Sequence, residues 1–142
     1  MNCQCSTDGC SINAPYMRTF SGMCKFFEIT LVASAFGIYR IADKASFGGG
    51  HANVFGGGVM VAALIITPLL LLCYFCGRLD VQSTTVLEPA INSVLCLFFF
   101  IAGSYAIGSH YFFSVIMGAL LVSAAIVYLA DNMQRYIRCD YN

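Results

Sequence analysis

Four apolar stretches dominate the chain, and most of its charged residues are pushed to their ends or into the gaps between them. A helix needs about 20 mostly apolar residues to cross the hydrocarbon core of a bilayer. The pattern predicts spans at about 23–41, 57–75, 87–107 and 111–130. The first span carries Lys25, Glu28 and Thr30 in its opening turns, which is tolerable if the long side chains snorkel to the headgroups. The second is interrupted only by Thr67-Pro68. The proline should bend the helix, with Thr67 and its neighbours satisfying the freed carbonyl. The third has two starting signals. Thr85-Val86-Leu87-Glu88 reads as a capping box, and Glu88-Pro89 as a proline in the first turn; both put Glu88 at the membrane surface. Gly108-Ser109-His110 separates spans three and four, which predicts a tight antiparallel hairpin. Glycines 48–50 and 56–58 fill the loop after span one and the opening of span two, giving a mobile loop or one whose backbone lies close to something.

Composition strengthens this reading. Of 142 residues, 59% are hydrophobic and 10% charged, with a mean hydropathy of +0.78. A soluble domain would be about a quarter charged, so the surplus calls for lipid as solvent. The expected fold class is all-α, an integral membrane four-helix bundle with cytoplasmic N- and C-termini. Its domains are a cysteine-containing segment over 1–22, a four-span domain over 23–138 and a short end over 139–142. The first 22 residues lack a positive start followed by an apolar core, so the first span is expected to direct insertion itself. Seven basic and seven acidic residues cancel, leaving no electrostatic footprint for nucleic acid.

Orientation follows from two residue types. Arg18, Lys25, Arg78, Arg135 and Arg138 fall on one side, Arg40 and Lys44 on the other, which places the termini inside. Cys3, Cys5, Cys10, Cys24, Cys73, Cys76 and Cys139 fall at or near that same face, and Cys96 within the third span. A chain with no cysteine in its exterior loops is not a disulfide scaffold. The seven cysteines near the inner face are candidates for reversible acylation. Cys3, Cys5 and Cys10 lack the paired spacing and histidine partners of a zinc site. Cys73-x-x-Cys76 has a redox spacing, but a packing role suits the end of an apolar helix better.

Lys25 and Glu28 lie three apart and share a helical face, as do Glu88 and Asn92, four apart. All four are expected to make interhelical polar contacts; intramembrane ionisable groups also raise an ion or proton path. His51 and His110 are two exterior histidines, too few for a metal site. No nucleophile–base pair, phosphate loop or metal cluster is present in the sequence, so no catalytic residue, metal or cofactor is assigned and no enzymatic activity is expected. Ala33-x-x-x-Gly37, Ser114-x-x-x-Gly118 and Ala119-x-x-x-Ser123 have the small-residue spacing that lets helix backbones approach closely.

The layout resembles the MARVEL-like four-span proteins, most closely the arthropod snakeskin-type membrane proteins of septate junctions. The resemblance covers roughly residues 25–138. It rests on four spans with cytoplasmic ends, the glycine-rich first exterior loop (48–58), Glu88-x-x-x-Asn92 opening the third span and Tyr128-x-x-Asp131 closing the fourth. The chain departs from that pattern in its cysteine-rich N-terminus. Claudins fit poorly, because there is no Trp and no cysteine pair in the first exterior loop. Tetraspanins fit poorly for lack of a large cysteine-rich exterior loop. The resemblance implies a non-enzymatic membrane-organising protein of the plasma membrane, at lateral cell junctions or in membrane apposition. Its implied partners are lipids, other integral membrane proteins such as junction components, and a second copy of the chain. The rival reading is a small transporter or channel accessory subunit with a path lined by Glu28, Glu88 or Asn92.

Overall fold

The computed structural model describes residues 20–42, 47, 50–75 and 87–140, without the side chains of residues 74, 75, 87 and 135–140. Among the described residues there are four helices and no strand: α1 Phe20–Ile41, α2 His51–Phe75, α3 Leu87–Gly108 and α4 Phe112–Asp140. Each is long and apolar enough to cross a membrane. At 1.5 Å per residue the 22 residues of α1 or α3 reach about 33 Å, against about 30 Å of hydrocarbon.

The helices alternate in direction. Lys25, early in α1, meets Glu88 and Asn92, early in α3, and Asp131, late in α4. Thr67, late in α2, meets Tyr128, also late in α4. One end of the bundle therefore holds the start of α1 and the finish of α4; this is the terminal end. The other is the hairpin end, where three residues join α3 to α4 and His110 turns the chain at φ 59°. An even number of crossings puts both described ends of the chain on one side of a membrane.

α4 packs most extensively on α3, next on α1; α1 covers α2, and α2 touches α3 over a smaller area. The α3–α4 seam is close because two glycines face each other. A Cβ built on Gly118 would stand 2.8 Å from the Gly103 carbonyl oxygen, and one on Gly103 3.0 Å from that of Gly118. Without side chains there, the two backbones approach directly.

One stripe of each helix faces inward. On α1 it is Lys25, Glu28, Val32 and Ala35; on α4 it is Ser114, Met117, Leu121, Ala124, Tyr128 and Asp131. These steps of three and four residues follow the helical period. The outward faces are apolar too: Phe26, Ile65, Leu97, Phe100 and Phe112 are all more than half exposed, a surface that water would not tolerate at this extent. Five Ser and Thr hydroxyls among them are internally satisfied. Thr30, Ser34, Ser93, Ser104 and Ser123 each donate to the carbonyl four residues back, which meets those five donors in an apolar medium.

Helix limits differ from the apolar spans chiefly at the start of α2 and the end of α4, while α3 begins where its span was placed. α2 starts at His51, ahead of position 57, and takes glycines 56–58 into its body. Phe47 and the Tyr39 hydroxyl lie where Cβ atoms at Gly56 and Gly57 would stand, so those glycines serve lateral packing. α4 continues past 130 to Asp140, carrying Asp131 and Asn132 into the bundle. α3 starts at Leu87, with Pro89 in its first turn, where the missing N–H costs little. Thr85 of the other starting signal lies outside the described residues.

Candidate functional site

Lys25 is the centre of a polar cluster at the terminal end. It lies on the second turn of α1 with Glu28 one turn further on, and both are fully buried. The ammonium makes three short contacts: Glu28 Oε2 at 3.1 Å, Asp131 Oδ2 at 3.0 Å and Asn92 Oδ1 at 3.0 Å. Glu88 Oε1 stands 3.8 Å away as a further ion pair. The snorkelling geometry expected of Lys25 is therefore wrong. Carboxylates on its own helix and on two others draw the side chain inward, so it does not anchor at the headgroups.

Asp131 is bonded through both carboxylate oxygens. It accepts from Ser21 Oγ at 2.7 Å on one oxygen, and from Asn92 Nδ2 at 3.1 Å and Lys25 on the other. Asn92 thus uses both ends of its amide, accepting from Lys25 and donating to Asp131. The three helices α1, α3 and α4 meet through these two residues and Lys25. A second bond ties α3 to α4, from Asn132 Nδ2 to Ser93 Oγ at 2.6 Å.

Tyr128 closes the cluster from below. Its ring stacks on Phe99 with centroids 5.6 Å apart, and Lys25 Nζ sits 5.5 Å from the ring centre. Its hydroxyl and that of Thr67 share a hydrogen bond of 2.6 Å, which brings in α2. The Thr67 side chain therefore bonds across helices, where the sequence suggested repair of the carbonyl freed by Pro68. Towards the hairpin end the inward stripes turn apolar: Val32 and Ala35, Met60 and Ala63, Phe99 and Ala102, Met117 and Leu121 are all buried. The next buried polar side chain among the described residues is Ser114, near the far end.

Lys25, Glu28, Glu88 and Asn92, the four residues singled out for interhelical polar contacts, meet at one point. Asp131, Ser21, Thr67 and Tyr128 were not assigned to that group. For Tyr128 and Asp131 a signal was present, since both continue the inward stripe of α4. The small residues divide. Ser114 and Gly118 are buried, with Gly118 against α3. Ala33 and Gly37 face outward with nothing near Gly37, and Ala119 and Ser123 are exposed. Those two pairs do not pack the bundle, because the inward stripe runs along other positions.

Among the acylation candidates, Cys73 is exposed while Cys24 is buried, so its thiol is shielded from an acyl donor. Cys3, Cys5, Cys10 and Cys76 lie outside the described residues, as does the side chain of Cys139. Cys96 donates to the Ala125 carbonyl at 3.2 Å, across α3 and α4. His51 and His110 are exposed at the hairpin end. Among the described residues no group of three His, Cys, Asp or Glu is placed to hold a metal ion. No family model, curated protein or solved structure matches the chain.

Proposed function

We propose that this chain is a non-enzymatic membrane-organising protein, a closed four-helix bundle acting through lateral contacts with lipid and other integral membrane proteins. In this reading its termini face the cytoplasm, and it resides in the plasma membrane at cell junctions or sites of membrane apposition. The observation that carries the proposal is the apolar seal beyond Tyr128: among the described residues, buried polar side chains gather at one end and, Ser114 near the far end apart, do not continue along the bundle axis. A transporter needs a hydrated path across the membrane, and packed Met60, Phe99, Met117 and Leu121 occupy that line. The junction and the cytoplasmic ends rest on the resemblance to MARVEL-like proteins and on the charge bias of the loops.

Two experiments test this. The purified protein in liposomes should pass no ions or protons; a flux abolished by Glu88→Gln would favour the transporter reading instead. A tagged copy in polarised epithelium should concentrate at lateral membranes, and confinement to internal vesicles would contradict the junction role.

A further inference from the structure

α1 differs from the other helices in where its charges lie. α2 contains no Asp, Glu, Lys or Arg, and none lies between Glu88 and Asp131, which leaves α3 and α4 long uncharged runs. In α1 the uncharged run between Glu28 and Arg40 is 11 residues, 29–39. That is about 17 Å of helix, against about 30 Å of hydrocarbon. Arg40 is exposed and long enough to reach the headgroups at its end. At the other end α1 completes a crossing only with Lys25 and Glu28 inside the bilayer, and it is the least apolar of the four helices.

Both side chains are fully buried in the bundle. Lys25 pairs with Glu28 one turn on, but its other partners belong to later helices. They are Asn92 at 3.0 Å and Glu88 at 3.8 Å on α3, and Asp131 at 3.0 Å and the Tyr128 ring on α4. A lone α1 in lipid would keep the Lys25–Glu28 pair and leave two of the three ammonium N–H groups without acceptors. Polar groups unmet in hydrocarbon are costly, and charged residues carry the heaviest penalty in a crossing helix. The contacts that make α1 tolerable in the membrane are thus supplied by α3 and α4.

We propose that α1 is a conditional span: it holds its transmembrane position through the partners that α3 and α4 bring to Lys25, and does not cross stably by itself. Without those partners α1 settles at the membrane surface, where water meets Lys25 and Glu28, while α3 and α4 remain inserted as a hairpin. The first helix made is then the last to be secured, and it does not direct insertion unaided. The dependence holds whether or not the bundle organises membranes.

Hydrogen–deuterium exchange of the full chain in lipid nanodiscs tests this. Amides of residues 29–39 should be protected in the wild type. Glu88→Leu, Asn92→Leu and Asp131→Leu together remove the ion-pair and hydrogen-bond partners of Lys25 on α3 and α4. Protection over 29–39 should then be lost, while amides 95–107 of α3 stay protected. Adding Lys25→Leu and Glu28→Leu to that variant should restore protection, because residues 19–39 then form an uncharged run of about 20, long enough to cross unaided. Lost packing alone would not be repaired by this change. Full protection of 29–39 in the triple variant would overturn the proposal. So would protection that stays lost after the two added changes, or a loss that spreads equally to 95–107.

Discussion

The two ends of the bundle are held by opposite means. At the hairpin end, Gly103 and Gly118 remove side chains so that two backbones touch. At the terminal end, Lys25 gathers acidic and amide groups from three helices. Both answer the same difficulty. Lipid gives apolar helices no hydrophobic reason to associate, so contact must come from close packing or from polar bonds. The glycine seam joins α3 to α4, which a three-residue turn already keeps together. The polar cluster joins helices distant in sequence, such as Ser21 and Asp131, 110 positions apart. Directional bonds stand where connectivity gives no help.

Removing the cation should produce the largest effect. Lys25→Met leaves three carboxyls facing one another, and breaking a buried ion pair from one side costs about 3–5 kcal/mol. Equilibrium unfolding in mixed detergent micelles should register a loss of that order. Adding Glu28→Gln and Asp131→Asn to Lys25→Met should recover much of it, because the two fully buried carboxyls lose their charge as well and only Glu88 keeps one.

The glycine seam should come next. Gly118→Ala places a methyl against the Gly103 carbonyl and the Ile107 backbone, so the helices must part. Overpacking of this kind costs about 1–3 kcal/mol. The loss should appear in the same unfolding assay, together with weaker crosslinking of cysteines placed across α3 and α4. If Gly118→Ala exceeded Lys25→Met, the hairpin end would be the firmer anchor and the comparison would reverse.

Thr67→Val sharpens the picture on a smaller scale. It keeps the volume but removes the bond to Tyr128, and interhelical hydrogen bonds in membranes average about 0.6 kcal/mol and reach at most about 2. Unfolding should show a loss within that range. Gly37→Leu should be nearly neutral for the folded monomer, since nothing lies within 4 Å of the position. A large loss of monomer stability there would mean that the outward face of α1 is covered inside the bundle.

The number and order of helices were legible because four long apolar runs leave few other solutions in a short chain. The helix limits were less so. Glycines 56–58 looked like an opening to α2; the approach of Phe47 and Tyr39 explains Gly56 and Gly57 inside the helix, and nothing stands within 4 Å of a Cβ at Gly58. Half of the polar cluster was legible, because Lys25, Glu28, Glu88 and Asn92 are conspicuous in apolar surroundings. Asp131 was visible at the close of the fourth span but not assigned to the cluster, because that span was ended where hydropathy falls, at 130; α4 runs on to Asp140. Ser21 and Thr67 carried no signal of their own, since hydroxyls in such helices usually bond to the turn behind them, as Thr30 and Ser34 do. Small-residue spacing misled at Ala33 and Gly37, because spacing alone does not say which face is inward.

The central claim is that Lys25 and Asp131 hold the terminal end together by direct interaction. A double-mutant cycle with Lys25→Met, Asp131→Leu and the combined variant measures that interaction by equilibrium unfolding in mixed micelles. Partners in one buried network couple by about 0.5–3 kcal/mol, and a 3.0 Å ion pair between fully buried side chains should fall in the upper half of that range. The double variant should therefore be clearly more stable than the two single losses added together. Strict additivity would show that Lys25 and Asp131 act independently, and the account of the terminal end would be wrong.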